Sequence, residues 1–308
     1  MAEPRVSMGL PVFNGEEFLP RAIKSLLDQD YGDFELIISD NTSTDGTQRI
    51  CEDFARQDKR IRYARNERNI GLAPNHNKTF RMARGEYFKW VAHDDEYSPK
   101  MLSSFVEALD SAPPSVTAVY SVCEYIDELG TRLGRFTDGV DRRDPRPHRR
   151  LAHLLLNIHI YNCTFGLIRA SALRKTRLHG SFPMADRVLF SELAMLGEIR
   201  ELPEPLIHIR IHKGRSFTKQ KSAQSLRKLF DPMAPEEKKF VSLESRVRIE
   251  LMRSAWRIPV SLREKIMCLS VTLVAPIWRD IKIFGSRHKR RIVRLLARRQ
   301  VRSTGQSC

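Results

Sequence analysis

The sequence predicts an α/β fold in which a mainly parallel sheet is flanked by helices, with a helical extension at the C-terminal end. Within the first 110 residues, short apolar runs typical of buried strands alternate with stretches whose apolar residues recur every three or four positions. Strands separated by helices indicate βαβ units, which build parallel sheets. The hydrophobic fraction of 41% over 308 residues is enough for a substantial core.

The first part of the chain contains four predicted strands and four predicted helices. The strands are Val6–Leu10, Phe34–Ile38, Ile61–Tyr63 and Tyr87–Ala92. The helices run from Phe18 to Leu27, from the capping residues Ser43, Thr44 and Asp45 past Phe54, from Gly71 to Ala83, and from Pro99 to Leu109. In such a sheet, ligands bind beyond the carboxyl ends of the strands.

The pattern is less regular after residue 110. The segments expected there are a strand at Ala118–Val122, a charged loop at Asp138–Arg150, buried structure at Leu151–Ile168 and an extended stretch at Leu202–His212. Pro235 is predicted to begin a helix that ends before Pro259. The following apolar segment, Ile266–Phe284, contains Pro276, Arg279 and Asp280, so its uncharged run is too short to cross a bilayer.

The charge of the chain is uneven. The formal net charge is +16, and residues 281–308 contain nine Lys or Arg and no Asp or Glu. A basic tail of this kind suits anionic lipid headgroups, nucleic acid or plain solubility. The five cysteines are scattered without a CxxC pair, which argues against a disulfide framework and a zinc site. With no signal-peptide pattern at the N-terminus, the expected location is the reducing cytoplasm.

Polar residues follow three of the predicted strands, in the segments Pro11–Glu16, Asp40–Gly46 and His93–Glu96. No GxGxxG motif follows the first strand, and GxxxxGK[ST] is absent, so the usual phosphate-binding loops are missing. Adjacent carboxylates that share a divalent cation could neutralise a diphosphate instead, and Asp94 and Asp95 are suited to Mg²⁺ or Mn²⁺. Structural alternatives remain for each cluster: a helix cap for Asp45, loop ordering for Asp40, and complements to a helix dipole for Asp94 and Asp95.

Four segments resemble the family 2 glycosyltransferases, which have the GT-A fold, a Rossmann-like sheet flanked by helices. They are PVFNGEEFLPRAIKSLLDQDY (Pro11–Tyr31), FELIISDNTSTDGT (Phe34–Thr47), NIGLAPNHN (Asn69–Asn77) and GEYFKWVAHDDEYSPKML (Gly85–Leu102). The segments occur in the family's order and spacing. A weaker resemblance continues through Ala185–Gly197 and Glu201–His212, and none is found in the last ninety residues.

The resemblance implies a role for each matching residue. The residues expected to contact the nucleotide-sugar are Pro11, Val12, Phe13, Glu16, Asp40, Asn69 and Asp94, with Phe13 near the base and Asp40 near the base or ribose. The expected metal ligands are Asp94, Asp95 and His212, and a plain surface histidine is the alternative for His212. Ala92 stands where the family often has the first Asp of an Asp-x-Asp motif, so the coordination geometry stays open.

The expected catalytic base is Asp186, which would take the proton of the acceptor hydroxyl. Glu192 is the second candidate for this role, and a helix N-cap is the structural alternative for Asp186. By resemblance, residues 1–218 form the transferase domain, with a nucleotide-sugar half at 1–110 and an acceptor half at 111–218. Residues 219–308 form a basic helical extension.

The implied reaction moves one sugar, with inversion, from a nucleotide diphosphate-sugar, foremost a UDP-sugar, to a glycan or lipid-linked acceptor. Such a reaction is typical of cell envelope polysaccharide biosynthesis. The basic helices could contact an anionic membrane from the cytoplasmic side. The alternatives are a nucleotidyltransferase of related fold, a catalytically inactive relative that binds nucleotide-sugar, and a nucleic-acid-binding protein. The last is disfavoured because the basic tail has no aromatic residue after Phe284.

Overall fold

The computed structural model describes residues 3–157, 162–213, 228–232 and 242–275. In these residues the strands are β1 (Val6–Val12), β2 (Phe34–Asp40), β3 (Ile61–Arg65), β4 (Tyr87–Trp90), β5 (Glu96–Tyr97), β6 (Val116–Ile126), β7 (Arg132–Phe136), β8 (Leu167–Arg169) and β9 (Glu198–Arg210). The helices are α1 (Leu19–Leu27), α2 (Thr47–Gln57), α3 (Leu72–Met82), α4 (Met101–Asp110), α5 (Pro147–Asn157), α6 (Ala170–Leu173), α7 (Ala185–Leu196), α8 (Leu243–Arg257) and α9 (262–275).

One sheet joins all nine of these strands, in the order β3-β2-β1-β4-β8-β6-β9-β5, with β7 paired to β6. The pairs β2–β3, β1–β2, β1–β4 and β6–β9 are parallel, while β8 runs antiparallel between β4 and β6. Every residue of β1 and β2 is buried, because helices cover both faces of the parallel part. The mainly parallel sheet and its flanking helices confirm the predicted fold class.

Strand β1 extends two residues beyond its predicted end, through Pro11 to Val12. Proline has no N–H to donate, and it is tolerated here because β4 has already ended on that side of β1. The carbonyl of Gly9 accepts the N–H of Val91 there, and Pro11 faces the same side one step further along. The prediction that the strand stops at Leu10 was therefore wrong by two residues.

The second half differs most from its prediction. The end of the predicted loop Asp138–Arg150 belongs to α5, which begins at Pro147, and strand β7 was not predicted. The predicted start of a helix at Pro235 lies outside the described residues. Within them, α8 begins at Leu243 after Ser242, whose Oγ accepts the N–H of Ser245 at 3.2 Å.

Two apolar clusters form the core. The first packs α1 and α4 against β1, β2 and β3, and the second packs α5 and α7 against β4, β6 and β8. Helices α8 and α9 belong to the second cluster through Val247, Leu251, Ala255 and Cys268, each at most 5% exposed. Helices α8 and α9, which lie in the described part of the predicted extension, thus share a core with α5 and α7. The predicted boundary of the extension at residue 218 falls outside the described residues and stays a prediction.

Candidate functional site

The loops after β1 and β2 are bonded to each other at the edge of the sheet. Asn14 has φ of 52°, in the left-handed region that asparagine tolerates, and its Oδ1 accepts the N–H of Thr44 at 2.8 Å. The Oε2 of Glu16 accepts the N–H of Gly46 at 2.6 Å, at the start of α2. The Asp45 carboxylate, in turn, accepts the N–H groups of Glu16 and Thr47. These contacts hold the two loops in one arrangement.

Asp40 is completely buried at the carboxyl end of β2. One carboxylate oxygen accepts the N–H of Ser43 at 2.8 Å, and the other accepts from the hydroxyl of Tyr63 at 2.9 Å and from Arg65 at 2.8 Å. The carboxylate therefore orders its own loop and joins it to β3. Its predicted contact with the nucleotide stays a prediction. A nucleotide that contacts Asp40 would bind carboxylate oxygens that already accept these hydrogen bonds.

Asn69 belongs to the same network, through Asn41. The side-chain amide of Asn41 donates to Oδ1 of Asn69 at 2.8 Å, and that oxygen also accepts the N–H of Gly71 at 2.9 Å. Gly71 has φ of 89°, which favours glycine, and it precedes α3 directly. The three loops after β1, β2 and β3 therefore form one connected polar surface.

The predicted nucleotide-binding residues differ in how much surface they present. Pro11 and Val12 are buried in β1, while Phe13 directly after them is 43% exposed. An exposed aromatic ring beside a polar loop can stack on a nucleobase. Glu16 is also exposed. Of the predicted set, Phe13 and Glu16 therefore offer the most accessible contacts.

Asp94 and His212 meet at the carboxyl ends of β4 and β9. Oδ2 of Asp94 lies 3.0 Å from Nε2 of His212, and the His212 ring packs against Phe18 with the ring centroids 4.7 Å apart. Burial alone would raise the pKa of Asp94, but the hydrogen bond to His212 and the nearby imidazoles of His93 and His212 outweigh it, and they hold the pKa at about 2. Asp94 is therefore an anion at neutral pH.

Asp95 faces the interior of the protein. It is 3% exposed, and its Oδ1 accepts the backbone N–H of Arg210 at 2.9 Å. The Arg210 guanidinium is completely buried and donates to the carbonyls of Asp94, Asp127 and Glu128 and to the Glu96 carboxylate. Arg210 thus joins the end of β9 to the loop after β4. The predicted metal contact of Asp95 stays a prediction.

The donor set of Asp94 and His212 fits a divalent cation. Two ligands of one octahedral ion, each about 2.1 Å from the metal and at right angles, are about 3.0 Å apart. In this structure Oδ2 and Nε2 are hydrogen-bonded 3.0 Å apart, a separation that such an ion could also bridge. Among the described residues, no group of three or more His, Cys, Asp or Glu is arranged to hold a metal. A Mg²⁺ or Mn²⁺ ion bound by Asp94 and His212 would take its remaining ligands from substrate phosphates and water.

Asp186 is the second residue of α7, at the helix end that carries partial positive charge. Burial raises its pKa, and the backbone N–H and guanidinium of Arg187 offset part of that rise. A carboxylate with a raised pKa is better suited to accept a proton near neutral pH. Its predicted role as the base stays a prediction.

Glu192 lies on the same helix and is completely buried. One oxygen accepts the N–H of Arg177 at 2.7 Å, and the other accepts from Ser254 at 2.6 Å and Arg257 at 2.8 Å. The carboxylate holds α8 against α7. These bonds favour a structural role for Glu192 over its role as the second candidate base.

Sequence reasoning missed Arg210. A signal was present, because His208, Arg210 and His212 alternate with Ile207, Ile209 and Ile211, which places the three polar residues on one face of an extended chain. The pattern does not reveal the partners of Arg210, since they lie more than 80 residues away in the sequence.

A buried aromatic stack was missed as well. The ring of His179 packs against Trp90 and His76, with centroids 4.7 Å and 5.5 Å away. Burial lowers the pKa of His76 to about 4 and the pKa of His179 to about 3, so both rings are neutral at pH 7. The stack joins α3 in the donor half to the segment before α7. No spacing in the sequence indicates this contact.

Several known glycosyltransferases are similar in sequence to this chain. The chain is 29% identical over 215 residues to an uncharacterized glycosyltransferase of Haemophilus influenzae, a match that covers 68% of this chain and 66% of the relative. It is 36% identical over 106 residues, 34% of each chain, to the GalNAc(5)-diNAcBac-PP-undecaprenol beta-1,3-glucosyltransferase of Campylobacter jejuni. A match to an uncharacterized glycosyltransferase of Rickettsia conorii spans 26% of that longer protein. The chain thus spans less than two thirds of the length of these relatives.

Solved structures share the fold. TarS 1–349 of S. aureus in complex with UDP-GlcNAc has a TM-score of 0.63 and 16% identity, with 88% of this chain and 72% of TarS covered. The mannosyltransferase PcManGT of Pyrobaculum calidifontis, in complex with GDP-Man and Mn²⁺, has a TM-score of 0.53 and 15% identity, with 92% and 85% covered. The model of the family described as "Glycosyl transferase family 2" matches residues 7–177, more than half of the chain. The protein therefore belongs to glycosyl transferase family 2.

Proposed function

We propose that this protein transfers one sugar, with inversion, from a nucleotide diphosphate-sugar to a glycan or lipid-linked acceptor. A UDP-sugar is the proposed donor. The observation that carries the proposal is the contact between Asp94 and His212, 3.0 Å apart, with the His212 ring packed against Phe18 after the β1 loop. The cytoplasmic location and a contact of the basic C-terminal helices with an anionic membrane belong to the same proposal.

The proposed chemistry divides the work between the two halves. Phe13, Glu16 and the loop ordered by Asp40 bind and orient the nucleoside. Asp186 accepts the proton of the acceptor hydroxyl while the acceptor oxygen bonds to the anomeric carbon. The bond from that carbon to the diphosphate breaks, and the nucleoside diphosphate leaves with the electron pair. A divalent cation held by Asp94 and His212 would stabilise the negative charge on the departing diphosphate.

The names of two relatives support the proposed class of acceptor. The C. jejuni enzyme is named for a reaction on an undecaprenol-linked glycan, and the E. coli relative WcaA, 39% identical over 103 residues, is named for colanic acid biosynthesis. These names support a lipid-linked or envelope glycan as the proposed acceptor. The nucleotidyltransferase alternative has less support, since the loop Pro11–Glu16 lacks the basic, glycine-rich sequence that such enzymes use.

The donor site is tested by calorimetry of UDP binding, with Mn²⁺ and with EDTA, for the wild type and Asp94→Asn. We expect binding to the wild type to weaken about 10- to 100-fold in EDTA. In Asp94→Asn, we expect Mn²⁺ to have little effect, because the anionic ligand has been lost. The variant Asp95→Ala, measured alongside, separates a direct metal contact of Asp95 from its support of Arg210. If Asp95 is a metal ligand, the variant should lose the Mn²⁺ enhancement of UDP binding while its unfolding midpoint stays unchanged. If Asp95 only supports Arg210, the unfolding midpoint should fall.

Glu107→Gln is the matched control, since it neutralises an exposed carboxylate on α4. This variant should bind UDP as the wild type does. UDP binding that is equal with Mn²⁺ and EDTA, and that survives in Asp94→Asn, would refute the metal–diphosphate role. Donor binding with no sugar transfer to any acceptor would favour the inactive relative.

A further inference from the structure

The outer face of α9 is apolar where a helix on a soluble protein is usually polar. Its core-facing side carries Cys268, Thr272 and Ala275, each at most 4% exposed. Seven residues of α9 face solvent, and five of them are large and apolar: Leu262 (64% exposed), Ile266 (53%), Met267 (40%), Leu273 (47%) and Val274 (47%). At 100° per residue, all seven lie within an arc of about 140°. They therefore form one continuous stripe.

Helix α8 extends this stripe. Ile249 and Trp256 lie two turns apart on its exposed side, at 40% and 59% exposure. The Nζ of Lys265 lies 5.6 Å from the centre of the Trp256 ring, which places Trp256 beside α9. We call the exposed residues of α9, together with Ile249 and Trp256, the α8–α9 outer face.

The fold prevents α8 from turning this face inward. Opposite Ile249 and Trp256, the buried Glu250 pairs with Arg177 at 2.5 Å, and Ser254 donates to the buried Glu192 of α7. Val247, Leu251 and Ala255 pack in the core on the same side. Because these contacts hold α8 in one orientation, its opposite side stays exposed to solvent.

Cations border the outer face. Arg263 is exposed within it, and Arg246 and Arg253 on α8 are 50% and 59% exposed, although each also pairs with the buried Glu250. The chain that follows α9 adds nine Lys or Arg in residues 281–308 with no acidic residue. Exposed aliphatic side chains, a tryptophan and surrounding cations are the features of helices that lie at an anionic bilayer surface.

We propose that the α8–α9 outer face docks on an anionic lipid bilayer, with its aliphatic stripe at the headgroup–acyl boundary. This proposal names the surface that would make the membrane contact of the proposed function. It rests on that membrane contact and not on the proposed reaction. A second copy of this chain fits less well, because a two-fold interface would bring the same cations together. Nucleic acid fits less well, because five aliphatic side chains offer it no hydrogen bond. None of the helices in the described residues is long and apolar enough to span a bilayer.

The test is co-flotation of the full chain with phosphatidylcholine vesicles that contain or lack phosphatidylglycerol. We expect flotation only with the anionic vesicles, weaker at high salt. The double variant Ile266→Ser/Leu273→Ser should lower the partition coefficient about tenfold or more, because two aliphatic anchors are lost while every charge is kept. The control Leu133→Ser removes a leucine of 58% exposure from β7 and should leave flotation unchanged.

Two further measurements, of UDP binding and of self-association, separate the possible causes of a change in flotation. UDP calorimetry without vesicles reports the donor site and the folding of each variant, so failure of the proposed reaction is seen separately. Sedimentation velocity reports self-association. Flotation that is absent, or equal for the wild type and the double variant, overturns the proposal. A wild-type dimer that the double variant converts to a monomer, without vesicles, also overturns it in favour of a second copy.

Discussion

The predicted donor half (residues 1–110) and the predicted acceptor half (residues 111–218) hold their polar residues in different ways. In the donor half, the loops after β1, β2 and β3 are bonded to each other by residues 28 to 30 apart in the sequence, as in Asn14 with Thr44 and Asn41 with Asn69. In the acceptor half, Arg210 and His212 reach loop residues that are 115 and 118 positions away. The proposed nucleotide-binding surface is therefore ordered mainly within residues 1–110, whereas the proposed metal site depends on where β9 docks.

This difference has a functional consequence. A change in β9 should impair the metal-dependent part of donor binding more than it impairs binding of the nucleoside. A change in α7 should impair transfer without weakening donor binding. The following variants test this separation, from the largest expected effect to the smallest.

The variant Asp186→Asn should lower kcat about 100- to 10,000-fold, because the asparagine amide cannot accept the proton of the acceptor hydroxyl. The Kd for UDP should stay close to that of the wild type. Release of UDP from the donor-sugar reports the rate, and calorimetry reports the Kd. Because burial raises the pKa of Asp186, the wild-type rate should fall as pH drops through that raised value, and the variant should lose this dependence. An unchanged kcat would exclude Asp186 as the base.

The variant Arg210→Met should lower the free energy of unfolding by about 3 to 5 kcal/mol, because three backbone carbonyls and the partly exposed Glu96 carboxylate lose their hydrogen-bond donor. Urea unfolding measures the loss. The control Arg49→Met removes an arginine whose side chain is 78% exposed and whose partner Asp53 is 38% exposed, and a change of about 1 kcal/mol or less is expected.

The metal dependence of Arg210→Met separates the two halves directly. In conditions where the variant is folded, the Mn²⁺ enhancement of UDP binding should fall, while binding in EDTA should match that of the wild type. Equal losses of UDP affinity with and without Mn²⁺ would show that nucleoside binding depends on β9 as much as metal binding does.

The buried histidine stack between the halves should make stability depend on pH. In the unfolded chain, histidine takes up a proton near pH 6.5, whereas burial holds the pKa of His76 at about 4 and that of His179 at about 3. The unfolded state therefore binds more protons between these values, and stability falls as pH drops from about 6.5 to about 4. The expected slope is about 1.4 kcal/mol per pH unit for each histidine.

Urea unfolding at about pH 7 and about pH 5 checks this slope in the wild type and in His76→Gln/His179→Gln. Burial raises the pKa of Asp138 to about 6, so this carboxyl gives a slope of opposite sign and the two proteins have to be compared with each other. The double variant should be less sensitive to acid. Parallel pH profiles for the two proteins would contradict the proposed origin of the slope.

Local patterns in the sequence accounted for most of the donor half. The apolar runs of β1, β2 and β4 and the amphipathic α1 were predicted within a few residues, because these elements are defined by their own side chains. The N-cap of α2 is Gly46 rather than one of the predicted residues Ser43, Thr44 and Asp45, although Asp45 accepts the N–H of Thr47 in the first turn. The acceptor half was predicted less well, since β7 and β9 pair with strands whose position depends on the whole sheet.

By itself, the sequence determined the fold class, the family and the positions of the polar clusters, because strand and helix periodicity and residue spacing are local properties. Only the tertiary structure decided which polar residues meet. It turned Asp94 toward His212 and Asp95 toward Arg210, two adjacent carboxylates that no sequence pattern distinguishes. It also left one apolar side of α9 facing outward, while Cys268 and Ala275 of the same helix pack into the core. Contacts between distant segments depend on the packing of every layer between them.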